Sequence, residues 1–510
     1  MENRDYLKIG KASDVKNKKD RIVYRMLEIF PGLLSWTTLA LLFFFCWQRP
    51  LWVAVFAIVF DMFWLLRTIY RSFLLKSGYD KMRENEEVDW LSKVKELDKD
   101  WRQYYHIVVY PMYKEPLSIV RESLSALKDN DYPKDRMIVI LALEERARKD
   151  VEDIAKVAKE EFGDSFFKFL ITWHPGDIPG EIAGKGSNEA WASKEVKEKV
   201  VDPLNIPYDK ITFSSFDIDT VVFPKYFSCL TYHYLTAENP TRKSFQPIPL
   251  FINNVWRVPV LSRIFSFSST FWNTMNQADP KNMVTFSSHS MSFKALVDVG
   301  FRQTNVVSDD SRIFWQCLLN FDGDYKVVPL YYPVSMDAVV SRSYFRTIIN
   351  VYKQQRRWAY GVGEIPYMIF GFMKNKKISL KKKIRFAFAE IEGHWSWATA
   401  SFIIFFLGWL PLVIGGPEFT QTLFSFNLPR VLRVLLTVAM VGLISSAYFS
   451  ILLLPPKPPK YGRYKYVAMA LEWIIIPVIM IIFTPLPALE AQTRWMIGKY
   501  LGFWPTEKIR

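Results

Sequence analysis

Long apolar runs bracket a charged, alternately patterned middle, and that arrangement limits this chain more than any other feature. Residues 29–48 carry no charge, enough to cross a bilayer as a helix. A second run, 51–75, is interrupted by charged residues, Asp61 and Arg67 among them, and Arg49-Pro50 between the two runs suits a tight helical hairpin. Asp61 and Arg67, about two turns apart, are expected to pair or snorkel. Three more runs follow the middle region, at about 395–416, 434–454 and 473–489. The last is short and carries Pro477, Pro485 and Pro487, so a re-entrant, broken or in-plane segment is favoured over a simple crossing.

Lysines and arginines set the expected orientation. They crowd the first 25 residues and segments 374–385 and 457–465, whereas 417–429 has none. The positive-inside rule then makes the N-terminus, the central region and the C-terminal tail cytoplasmic in a multi-pass protein of the plasma membrane. The polar, basic start followed by a full-length span does not read as a cleavable signal peptide. A net charge of +15 is explained by these membrane-flanking clusters, which argues against nucleic acid as a partner. The three cysteines, Cys46, Cys229 and Cys317, are far apart and suit neither a disulfide framework nor a zinc site.

Between the spans, 106–110, 137–143, 167–172 and 211–216 are β-branched or aromatic runs. Charged helix-like stretches such as 150–161 and 188–199 separate them, which predicts a mostly parallel α/β sheet. There is no internal repeat, and Pro455–Pro459 reads as a stiff linker. With 23% charged residues and so large a middle region, a transporter without catalysis is disfavoured.

Ligands of such sheets bind at the carboxyl ends of the strands. Asp217 and Asp219 stand at one such end, and carboxylates at i and i+2 can share a divalent ion bound to a diphosphate. Ser308-Asp309-Asp310 precedes an apparent helix and by itself reads as a cap with acidic residues at the dipole's positive end. Gln354, Arg357 and Trp358 lie on an amphipathic stretch, 343–373. Gln354 and Trp358 share a face, Arg357 can fork onto phosphate, and Trp358 offers a flat face to a sugar ring. Gly184-Lys185-Gly186-Ser187-Asn188 allows close approach to phosphate and supplies a charge.

Taken in order, these motifs resemble the membrane-embedded inverting glycosyltransferases of family two, the group holding bacterial cellulose synthase and hyaluronan synthase. The resemblance covers about 104–373 well and the flanking spans in arrangement only. It implies a cytoplasmic GT-A-type, Rossmann-like catalytic domain between membrane helices. The boundaries are then a basic N-terminus (1–28), a helical hairpin (29–75), the catalytic domain (76–340), interfacial helices (341–390), membrane helices with a possible re-entrant segment (391–489) and a tail (490–510). It implies transfer of a sugar from a nucleotide-diphosphosugar, UDP-linked by expectation, to a growing polysaccharide, with Mg²⁺ or Mn²⁺ as cofactor. Asp310 becomes the general base, Asp219 the direct metal ligand, and Asp217 a metal and nucleotide contact. Lys185 and Arg357 become donor ligands.

Further donor contacts are implied at Pro111, Tyr113 and Glu115, in a loop like the family's Pro-x-Tyr-Asn-Glu segment with Lys114 in place of Asn. Glu144 or its neighbour Glu145 stands where the family has a nucleobase-contacting Asp. Thr506 and Lys508 fall in a tail resembling a gating loop, with Pro505 in place of Val and no Gly after Lys508. Gln354, Trp358 and His289 are the implied acceptor side, His289 being equally open to a buried structural role. A second reading keeps the chemistry and transfers one sugar to a membrane lipid.

Overall fold

The computed structural model describes residues 4–502. Its eight strands are β1 (Tyr105–Met112), β2 (Met137–Glu144), β3 (Lys168–His174), β4 (Ile211–Ser215), β5 (Val221–Val222), β6 (Lys243–Leu250), β7 (His289–Ser292) and β8 (Lys326–Ser335). They form one sheet in the order β3-β2-β1-β4-β7-β6-β8-β5. The β3-β2-β1-β4 half is parallel throughout, and β7 joins antiparallel on both sides. This is the mostly parallel Rossmann-like sheet expected from the strand pattern.

The main helices are α1 (Lys18–Gln48), α2 (Pro50–Glu87), α3 (Leu117–Lys128), α4 (Arg148–Phe162), α5 (Lys185–Val196), α6 (Tyr226–Thr236), α7 (Val260–Ala278), α8 (Asp309–Asn320), α9 (Tyr344–Ala359), α10 (Glu364–Lys374), α11 (Leu380–Phe406), α12 (Leu423–Leu452) and α13 (Pro485–Ile497). The period of two along β1 feeds two cores. Val108 and Tyr110 pack with α3, α4 and α6, whereas Ile107 and Val109 pack with α5 and α8. Central β2 is buried along its whole length, so its sequence is an almost unbroken apolar run.

Four described helical segments are long and apolar enough to cross a membrane: Lys18–Gln48, Pro50–Glu87, Leu423–Leu452 and Tyr464–Ile497. The last is broken by a tight turn at Glu472–Ile475 and again before Pro485, in keeping with its prolines. The run at 395–416 is not one helix. α11 ends at Phe406, and two short helices, Leu410–Ile414 and Gly416–Thr420, continue the chain. The expected Asp61–Arg67 pair is also corrected. Six residues of helix turn the two side chains about 120° apart around the axis. Arg67 instead pairs with Glu392 of α11, while Asp61 is buried with its Oδ1 unpaired. The stretch 343–373 is likewise two helices, α9 and α10, with a turn at Tyr360–Gly363 between them.

Candidate active site

The sheet order places β2 and β3 on one side of β1 and β4 on the other, so the chain reverses direction between β1 and β4. A crevice opens outside the carboxyl ends of strands at such a point. Asp217 follows β4 directly. The first turns of α5 and α8 converge on it, bringing Lys185 and Asp310 from segments far apart in sequence.

Lys185 Nζ lies 2.7 Å from Asp217 Oδ1 and donates to both oxygens of Asp310, at 2.9 and 3.0 Å. Burial alone would depress the lysine, but Asp217 and Asp310 hold it charged, well above its ordinary value. For Asp310, burial opposes ionisation, yet Lys185 and Arg302 outweigh it and bring the carboxyl below its usual range. Asp309 behaves oppositely: burial and the adjacent Asp310 charge push it up to about 7. The two neighbouring carboxylates are thus split into one ionised and one readily protonated. Asp310 remains partly exposed at 23%, against 5% for Asp309, so Asp310 is the carboxylate facing the crevice.

Gly186 is required for this convergence. A Cβ there would stand 2.7 Å from Asp309 Cβ, so only glycine lets the two helix starts meet. Ser308 occupies the N-cap position of α8 without a side-chain capping bond. The turn after α9 closes over it, with Gly361 facing Ser308 Oγ. Trp358 is half-buried near Phe251, 6.5 Å between ring centroids, Gln354 is buried, and Arg357 is half-buried. The neighbouring Arg356 is committed elsewhere, to Glu490 of α13 at 2.6 Å.

At the ends of β1 and β2, Pro111 pairs with Ala142 inside the sheet. The Arg146 guanidinium covers the Tyr113 ring at 4.6 Å and pairs with buried Glu144. Glu115 turns back on its own loop, Oε2 accepting from the N–H groups of Tyr113 and Lys114 at 2.8 and 3.1 Å. Asp219 is buried, its Oδ2 accepting from the Asp337 N–H at 2.8 Å.

Among the described residues no three His, Cys, Asp or Glu side chains form a ready-made metal cage. The donor set nevertheless fits a magnesium-like ion, which needs only one or two carboxylates plus substrate phosphates. Asp217 is partly exposed at the crevice, Asp219 is oriented from behind, and acids outnumber cations around Lys185 and Arg302 even with Asp309 protonated.

His289, left open between an acceptor contact and a structural role, is buried. It is 1% exposed, its Nδ1–H donates to the Phe286 carbonyl at 2.7 Å, and its Nε2 faces Arg302. Burial and Arg302 push it down to about 3, so it stays neutral. Thr506 and Lys508 lie outside the described residues. The chain leading to them is anchored beside the site: Trp495 stacks on Tyr360 at 5.0 Å, and the Leu501 N–H donates to the Tyr360 hydroxyl at 3.0 Å.

Four participants were not read from the sequence: Glu189, Arg302, Arg146 and Asp337. Glu189 follows Lys185 by one helical turn, a spacing that could have found it. Arg302 belongs to no motif.

A mostly parallel α/β domain with this carboxylate–lysine site, flanked by membrane-length helices, defines the class. The sequence profile of glycosyl transferase family group 2 matches residues 215–486, more than half of the chain, and the chain belongs to that family. Among curated proteins no sequence match is found. Among solved structures, similarity is found to the mannosyltransferase PcManGT from Pyrobaculum calidifontis in complex with GDP-Man and Mn²⁺. That match has 15% identity and a TM-score of 0.39, and covers 84% of this chain and 99% of the other. A second is to residues 1–349 of S. aureus TarS in complex with UDP-GlcNAc, at 10% identity and a TM-score of 0.38, covering 78% and 93%.

Proposed function

We propose that this protein is a membrane-embedded inverting glycosyltransferase that extends a polysaccharide from a nucleotide-diphosphosugar, coupled to secretion of the glycan. The observation that carries the reading is the Asp310 carboxylate, kept ionised at the crevice mouth by Lys185 beside Asp217. An inverting transfer needs such a base opposite the leaving phosphate. The acceptor hydroxyl oxygen bonds to the anomeric carbon while its proton passes to Asp310. The bond from that carbon to the phosphate oxygen breaks, and its electron pair leaves with the nucleoside diphosphate.

Lys185 changes partners in this scheme, turning from Asp310 to the diphosphate oxygens, which releases the base as the donor arrives. Arg357 adds a second cation to the phosphates. Tyr113, Arg146 and Glu144 sit at the ends of β1 and β2, where the nucleobase is read, and Glu115 keeps that loop in shape. Asp217 and Asp219 would hold Mg²⁺ or Mn²⁺, which neutralises charge on the departing diphosphate when bound. Gln354 and Trp358 receive the acceptor. The crevice faces the cytoplasm, by the charge argument, and the tail with Thr506 and Lys508 covers the bound nucleotide.

A second reading keeps the chemistry and passes one sugar to a membrane lipid. Radiolabelled sugar separates the two. The polysaccharide reading expects label in long, gel-retained chains. Label extracted wholly into organic solvent would replace it with the glycolipid reading, and label in neither would remove both.

A further inference from the structure

Arg302 lies wholly inside the protein, 1% exposed, yet a charge there is costly unless its surroundings are built for it. They are. Its Nε forms an ion pair with Glu189 Oε2 at 2.7 Å, off the angle of a hydrogen bond, and Glu189 is fixed in turn by the Ser215 hydroxyl at 2.7 and 2.8 Å. Nη1 donates to Asp309 Oδ2 at 3.4 Å and to Asp310 Oδ1 at 3.5 Å. Nη2 donates to His289 Nε2 at 3.2 Å. His289 accepts there because its other nitrogen is committed to the Phe286 carbonyl. Partners from α5, β7 and α8 therefore surround one planar group and fix its orientation. A lysine would supply the charge without that fork.

The catalytic scheme gives the arrangement a purpose. Lys185 makes the shorter contacts to Asp310. Once Lys185 turns to the diphosphate, Arg302 is the cation left beside Asp310 among the groups described around it. Being buried behind the carboxylates, it does not reach the donor. We propose that Arg302 is a positioning residue that aims the Asp310 carboxylate in the donor-loaded site, and that His289 holds Arg302 in that role. The proposal rests on the reading of Asp310 as the base.

The test uses the full-length protein in nanodiscs with His289→Leu, His289→Gln, Arg302→Lys and Asp310→Asn. Nucleoside-diphosphate release yields kcat and donor KM, calorimetry with UDP and GDP yields nucleotide affinity, and a melt yields stability. His289→Leu is expected to lower kcat about tenfold to a hundredfold, the scale of a small misalignment, with donor KM and nucleotide affinity within about twofold. His289→Gln, whose amide oxygen can accept from Arg302, is expected to recover most of that loss. Arg302→Lys should lower kcat without weakening nucleotide binding. Unchanged kcat in both His289→Leu and Arg302→Lys would overturn the proposal. So would equal losses of kcat, affinity and stability in His289→Leu and His289→Gln, the behaviour of plain core packing. If His289→Leu does not fold, Arg302→Lys and His289→Gln decide alone: kcat at the wild-type level in Arg302→Lys overturns the proposal. Wild-type turnover that survives in Asp310→Asn, or no turnover with any donor, would instead remove the reading of Asp310 and this proposal with it.

Discussion

Lys185 has two tasks in the proposed scheme: it keeps Asp310 ionised, and it meets phosphate when the donor enters. Removing its charge therefore has two separable effects. In Lys185→Met the carboxyl of Asp310 loses the cation that lowers it, so its pKa rises. A base works only when deprotonated, so the acid limb of the kcat/KM profile is expected to move to higher pH. Donor affinity should fall in parallel, read as a raised KM. An acid limb at the wild-type position would mean that Lys185 does not act on Asp310. Glu189 and Arg302 complete the cluster, and their absence from the motif reading has a plain cause. Lys185, Asp217 and Asp310 belong to short patterns whose chemistry is local. Arg302 gains its meaning only when the loop after Gly300 passes beneath α8, and no spacing along the chain announces that.

At the scale of elements, strands were the most readable part. β1 to β4 are β-branched or aromatic runs whose alternation or full burial is imposed by a two-faced sheet. The later strands are harder: β7 is four residues, His289–Ser292, rich in serine, and is a strand because it fills the gap between β4 and β6. The membrane-length helices are readable as runs but not as partners, as Arg67 shows by pairing with Glu392 rather than Asp61. A similar tie joins α7 to the broken membrane segment: buried Arg263 pairs with Glu472 at the tight turn. Arg263→Leu leaves a carboxylate without its cation, and the expected loss is about 3–5 kcal/mol. The double variant Arg263→Leu/Glu472→Leu removes the unpaired charge and should recover part of that loss, the remainder coming from the Val255 and Val258 carbonyls to which Arg263 also donates. A double variant as unstable as the single would show that the loss comes from packing and these backbone bonds rather than from the unpaired charge.

Across the whole molecule, the two ends of the chain meet beside the site. Arg25 of α1 donates to the Trp495 and Met496 carbonyls at the end of α13, and buried Glu28 accepts from the Tyr500 hydroxyl. Leu501 is thus held next to Tyr360, two residues after Trp358. Deleting Phe503–Arg510 is expected to weaken nucleotide binding while leaving the melting temperature unchanged. Equal affinity by calorimetry would remove the gating role. The central claim, that Asp310 is the base of a sugar transfer, is tested most directly by nucleoside-diphosphate release. The purified protein in nanodiscs would be given UDP- and GDP-sugars with Mg²⁺ or Mn²⁺, and Asp310→Asn would be run beside it. The account predicts release from one donor, lowered by about 10²–10⁴ in Asp310→Asn, with nucleotide binding retained. Release that persists undiminished in Asp310→Asn, or a protein that neither binds nor turns over any nucleotide sugar, would contradict it.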